Sequence, residues 1–221
     1  MEEYRGFGTK IRFWGKRALF TRPEFKTERF SYEVMTPSAA TGMLEAIFWH
    51  PGLHYVIDRI YVCRPIRYQT IKKNEVDSKG NLQDFEKMIS GGTPPSLISS
   101  DHISQRNTTF LTNVDYIVEC HFDMTDRANA SDNPGKFAEM LRRRASKGQC
   151  FSQPYFGTKD FAANFSLWPE NKEIPTINDS KNLGVMLHSM DYSDHANIRP
   201  RFFMAELQNG VMEVVGRRVF E

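Results

Sequence analysis

Hydrophobic positions fall into two periodicities along the chain. In residues 8–15 they alternate: Thr9, Ile11 and Phe13 point one way, Lys10, Arg12 and Trp14 the other, which predicts a strand. From residue 37 the spacing becomes helical. Ala40, Met43, Leu44, Ile47 and Phe48 make one apolar face. Thr36 suits the N-cap and Pro37 the first helical position, while His50-Pro51-Gly52 ends the helix. Residues 55–68 are rich in β-branched and aromatic types and predict a long strand bearing Arg59, Arg64 and Arg67. Pattern is then lost over residues 72–105, where Gly, Pro, Asn and Ser cluster; only a short helix at 82–89 is expected.

Strand character returns over residues 108–124, as one strand or as two joined at Thr112-Asn113. Val114, Tyr116, Val118, Cys120 and Phe122 form its apolar side, and His121 stands on the other side between carboxylates. A second helix follows, capped by Asp132 or Asn133, opened by Pro134, striped by Phe137, Met140 and Leu141, and closed by Gly148. Beyond Cys150 short strands are expected at 161–167, 184–191, 201–207 and 211–219, with Asn209-Gly210 as a hairpin turn. The order β–α–β, then β, α and β is a ferredoxin-like βαββαβ pattern, an α+β class. It predicts a domain over residues 1–148 with an insertion near 75–105, and a small antiparallel β domain over 149–221.

A hydrophobic share of 40% and a charged share of 25% over 221 residues exclude wholesale disorder and allow a real core. The net charge of +2 does not by itself mark a nucleic-acid binder, so its distribution matters more. Arg12, Lys16, Arg17, Arg22, Lys26 and Arg29 make the early chain basic, and Arg142, Arg143 and Arg144 crowd the end of the second helix. That cluster suits the helix dipole on a solvated face and equally a phosphate grip. Lys10, Arg12 and Trp14 read as a base-stacking face or as a strand lying under a second layer. The three cysteines are far apart, without a CxxC pair, which argues against a structural zinc site and a disulfide framework. No apolar run reaches the roughly 20 residues of a membrane span, no Walker-type loop occurs, and no ligand set has metal spacing. A reducing cytoplasm and no cofactor are therefore expected.

The segments RALFTRPEFKTERFSYEVMTPSAATGMLEAIFWHP, VIDRIYVCRPI, NVDYIVECHFD, DNPGK and LGVMLHSMDYS, in this order, resemble the CRISPR-associated RAMP proteins of the fifth Cas family, subtype d, of type I-C systems. The resemblance covers most of the chain outside residues 75–105. It implies an RRM-like RAMP domain that cuts precursor CRISPR RNA in the repeat hairpin. The cut proceeds without metal, by 2′-OH attack, and the product stays bound at its 5′ handle within an interference complex of other subunits. Family members usually carry Tyr before Trp on the first helix and a Lys-His pair opening the second. Here these positions are Phe48 and Lys136-Phe137, so of that trio only Lys136 is retained.

Lys136 would stabilise charge on the pentacoordinate phosphate. His50, two residues past Phe48, is the first replacement for the missing base; His54 and His121 are weaker ones. Tyr32 and Tyr55 would help hold the 2′-OH. Lys10, Arg12, Arg64, Arg67, Lys72 and Arg142 to Arg144 would grip RNA phosphates. Two alternatives stand beside the nuclease: a non-catalytic subunit binding the 5′ handle, and a general nucleic-acid-binding fold.

Overall fold

The computed structural model describes residues 8–25, 27–77, 81–92, 98–194 and 196–221. In chain order the elements are β1 (Thr9–Ala18), β2 (Arg29–Phe30), α1 (Pro37–Ile47), β3 (Leu53–Val62), β4 (Tyr68–Val76), α2 (Leu82–Ile89), β5 (Ile103–Met124), α3 (Pro134–Lys147), β6 (Asn164–Leu167), β7 (Lys181–Asp191), β8 (Arg199–Leu207), β9 (Val211–Glu213) and β10 (Val219–Phe220). The larger sheet has the order β6-β1-β5-β3-β9, and β1, β3 and β6 all run antiparallel to their neighbours. Taken as β1, α1, β3, β5, α3, β6, this is the ferredoxin-like arrangement that the element order predicts.

Alternation decides which face is buried. Ile11, Phe13, Ile60, Val118 and Cys120 point to one side and meet Met43, Leu44 and Ile47 of α1 and Phe137 and Leu141 of α3 in one core. Thr36 caps α1 by accepting a hydrogen bond from the Ala39 N–H at 3.2 Å, with Pro37 at its start as expected. Asn133, rather than Asp132, caps α3: its side chain accepts from the Lys136 N–H at 2.8 Å. Gly148 ends α3 in a left-handed conformation, φ 64°.

The expected strand over 55–68 is broken. β3 stops at Val62 and β4 begins at Tyr68, because Pro65 cannot donate to a ladder. The stretch over 72–105 also differs from its expected lack of pattern. β4 pairs with the first half of β5 from Tyr68↔Leu111 to Val76↔Ile103, and α2 sits at the far end. Both faces of this ribbon are largely exposed, so no apolar face was selected and no alternation is written there. β5 is one strand of 22 residues that changes partners near Asn113, whose φ of 56° is a conformation Asn tolerates.

Beyond Gly148, β6 and β9 extend the larger sheet on β1 and β3, while β7, β8 and β10 form a second sheet of three strands. Asn209-Gly210 does make the tight turn, with φ of 49° and 76°. It closes the expected hairpin, with Gln208 and Val211 exchanging backbone hydrogen bonds at 2.9 Å, and it also carries the chain from β8 in the small sheet to β9 in the large one. A Cβ at Gly210 would stand 2.5 Å from the Ile177 carbonyl oxygen, so only Gly fits. Cys120 is buried; Cys63 is half-buried, and burial pushes its thiol up to about 12.

Candidate active site

The end of α1 and the start of α3 meet at one edge of the sheet. After Ile47 the backbone becomes extended at Phe48 and turns through His50-Pro51-Gly52 into β3. That turn is pinned in place. The Gly52 N–H donates to His50 Nδ1 at 3.1 Å, the Leu53 N–H donates to the His50 carbonyl at 3.0 Å, and the Thr125 hydroxyl donates to the Pro51 carbonyl at 2.6 Å. A Cβ on Gly52 would come within 2.7 Å of Ala128 Cα, so the turn needs glycine to sit against the 125–128 segment.

Asp132 stands between the two expected catalytic side chains. Lys136 Nζ donates to Asp132 Oδ1 at 3.1 Å, and His50 Nε2 lies 3.7 Å from Oδ2. The Asp132 side chain is only 3% exposed, whereas those of Lys136 and His50 are 47% and 26% exposed. The Asn129 N–H, donating to Oδ2 at 2.9 Å, is the main cause that holds the Asp132 carboxyl below its usual range; Lys136 adds to it. The cluster thus presents an ammonium and an imidazole to solvent, joined by a covered carboxylate.

The expected role of His50 needs correction. With Nδ1 accepting from Gly52, the tautomer assigned from this bond carries its proton on Nε2, so the ring faces the site as a donor. It has no free basic nitrogen to take the 2′-OH proton. Below it, the Phe137 ring lies 4.8 Å away and is itself 5.8 Å from Phe48. The positions matching the family's Tyr and His are therefore in mutual contact, and the His50 imidazole borders them. Both phenyl rings are buried, at 4% and 1% exposure.

Tyr32 and Tyr55 do not serve the expected 2′-OH contact. Both are buried, and Tyr55 spends its hydroxyl on the Phe48 carbonyl at 2.8 Å. Burial pushes both phenols up. His54 is exposed on β3, and His121 is held by Asp58 at 2.9 Å on the sheet face away from the helices.

The expected phosphate contacts separate into free and committed groups. Arg67, Lys72 and Arg143 are exposed. Lys10 lies 4.0 Å from Glu119, and Arg64 is half exposed at 3.7 Å from Asp115. Arg12 is bound at both ends of the Asp115 carboxylate, at 2.9 and 2.6 Å. Arg142 donates to the Gly8 carbonyl at 2.9 Å, and Arg144 donates to the Ile47 carbonyl at 2.9 Å and lies over Phe48. The arginine cluster is therefore not a single grip, because two of its members tie α3 to neighbouring backbone.

Asp132 was visible in the sequence only as a possible cap, though its i,i+4 spacing to Lys136 marks the ion pair. Among the described residues no three His, Cys, Asp or Glu side chains gather as metal ligands, and no helix is long and apolar enough to cross a membrane.

Comparison with known proteins adds a family to this geometry. Residues 9–215 match the Cas_Cas5d family model, described as CRISPR-associated protein (Cas_Cas5). A protein of Mannheimia succiniciproducens named CRISPR pre-crRNA endoribonuclease Cas5d is 43% identical over 216 residues, 93% of each chain. One of the same name from Thermus thermophilus is 35% identical over 229 residues, 96% of this chain and 93% of that one. Among solved structures, a CRISPR-associated protein aligns with TM-score 0.69 at 20% identity, covering 97% and 96% of the two chains. A functionally uncharacterized Streptococcus mutans protein aligns with TM-score 0.67 at 21% identity, covering 94% and 91%. At these identities the structures establish the fold alone.

Proposed function

The chain belongs to the Cas5d family of CRISPR-associated proteins, and from that membership we propose that it cleaves precursor CRISPR RNA within the repeat hairpin. The product remains bound at its 5′ handle, in the cytoplasm, as part of a type I-C interference complex. The observation that carries the catalytic assignment is the meeting of Lys136 and His50 on opposite oxygens of Asp132.

The reaction is transesterification. The ribose 2′-oxygen attacks phosphorus, the P–O5′ bond breaks, and the products are a 2′,3′-cyclic phosphate and a 5′-OH. Lys136 moves from Asp132 to a non-bridging oxygen and offsets the charge that grows there. His50 directs its Nε2–H as a hydrogen-bond donor at the leaving 5′-oxygen, which takes its proton from solvent as the P–O5′ bond breaks. Phe48 and Phe137 transfer no proton, so the 2′-OH proton leaves to solvent and turnover is slow. Asp132 is a positioning residue: it holds both donors at the edge of the site until a phosphate replaces it.

The same two phenyl rings favour a second reading, a handle-binding subunit without cleavage. Incubating the protein with a type I-C repeat RNA in EDTA separates the two. A single cut at the base of the hairpin with a cyclic phosphate on the upstream product supports the nuclease; intact RNA still tightly bound supports the second reading.

A further inference from the structure

The small sheet is covered on one side only. Met186 of β7 and Phe203 and Ala205 of β8 point inward and are fully buried in the core that α1 shares. The alternation that buries them turns their neighbours outward. Val185 pairs directly with Met204, Leu187 with Phe202, and Phe202 with Phe220 of β10, so these five apolar side chains share the outer face of three strands. Val185 and Met204 are each 47% exposed, and Phe220 is 37% exposed. The polar pair Asn182↔Glu206 bounds the patch at one end. The solvated face of an antiparallel sheet is ordinarily polar; a contiguous apolar block on it marks a contact surface.

Shape and charge define the partner that fits. Three strands spaced about 4.8 Å apart present a strip roughly 10 Å wide, the diameter of one helix with its side chains. Arg201 is paired with Asp191, Arg199 with Glu221 at 3.5 Å, and Arg217 with Glu206 at 3.5 Å. With those cations neutralised by their own neighbours, the face suits an apolar protein surface rather than a phosphate backbone. Its size argues against a free-standing pair. A standard interface draws on roughly 20–30 residues a side, and this patch offers far fewer. A second copy of the chain is therefore not held here by this face alone. A subunit already bound to the same RNA is, because the shared scaffold raises its local concentration and makes a small contact sufficient.

We propose that the outer face of the β7–β8–β10 sheet docks an amphipathic helix of another protein subunit of the interference complex. This rests on the complex membership proposed above. The test co-expresses the chain with the other type I-C subunits and a repeat array. The complex is isolated through a tag on one of those subunits, and its content of this chain is measured. Val185→Lys and Met204→Glu are expected to lower incorporation at least about tenfold, since each buries an unpaired charge in the contact. Met204→Leu should incorporate normally. Both positions are half exposed, so the melting temperature and the free protein's affinity for the repeat hairpin should stay at wild-type values. Normal incorporation of Val185→Lys and Met204→Glu would overturn the proposal. A matching loss of hairpin affinity would assign the face to RNA, and a lower melting temperature in both variants would assign it to the fold; either overturns it. A wild type that sediments alone as a dimer, with both variants monomeric, overturns it in favour of a second copy. A wild type absent from the complex would sink complex membership itself, and this docking with it.

Discussion

Lys136 and Asp132 form an ion pair of 3.1 Å across one turn at the start of α3, and the carboxylate is covered while the ammonium is not. In the proposed reaction, this covered anion between two outward-facing donors is the group that a phosphate replaces. It keeps Lys136 and His50 at a fixed separation and leaves both able to exchange one oxygen for another. The Asn129 N–H on the second carboxylate oxygen prevents Asp132 from following Lys136 outward.

Asp132→Asn keeps the shape and removes the charge. Single-turnover cleavage at saturating enzyme is expected to fall about tenfold, within the range of one positioning or acid–base contribution. RNA affinity should be unchanged or higher, because Lys136 loses a competing anion. An affinity loss with an unchanged rate would assign Asp132 to RNA binding instead.

The low Asp132 pKa has a testable sign. A carboxyl depressed by folding contributes stability above its unfolded value, about 3.9, and loses it only as pH falls through the lower folded value. An NMR titration of the Asp132 side-chain carboxyl should therefore give a midpoint below 3.9. A midpoint at or above that value contradicts the Asn129 and Lys136 contacts.

Phe137 supports the site from beneath, touching Phe48, His50 and Phe122. Truncating a buried Phe to Ala costs about 3–5 kcal/mol. Phe137→Ala should therefore lower the melting temperature by roughly 10 °C in a chain of this size. A shift within a degree or two would mean that the contact is not part of the core.

Arg144 and Arg143 are adjacent in sequence but differ in role. Arg144→Ala removes the hydrogen bond to the Ile47 carbonyl and the contact over Phe48, and should cost about 1–3 kcal/mol in a denaturant melt. Arg143→Ala should leave stability unchanged and lower the salt dependence of RNA binding by about one phosphate contact. Equal stability loss in both would contradict the assignment.

The elements that pack on the core were legible because one face of each had to be apolar. α1 and α3 with their caps, and the alternation of β1 and of β5 after Asn113, follow from that constraint. The β4–β5 ribbon was not legible, since a two-stranded extension exposed on both faces writes no period. At the site, Lys136 and His50 could be named from residue type and position, but their common partner could not. Asp132 looks like a helix cap until the fold brings residues 50 and 132 together. The Arg12–Asp115 pair likewise joins residues 103 apart in sequence, so Arg12 read as a free cation.

The most direct measurement is single-turnover cleavage of a type I-C repeat RNA in EDTA by the wild type and by Lys136→Ala, with RNA affinity measured alongside. The expected result is one cut at the hairpin base by the wild type and a rate lower by about a hundredfold in the variant, with affinity within a few-fold. An uncut RNA with the wild type, or an unchanged rate in Lys136→Ala, would contradict catalysis at the Lys136–Asp132–His50 cluster.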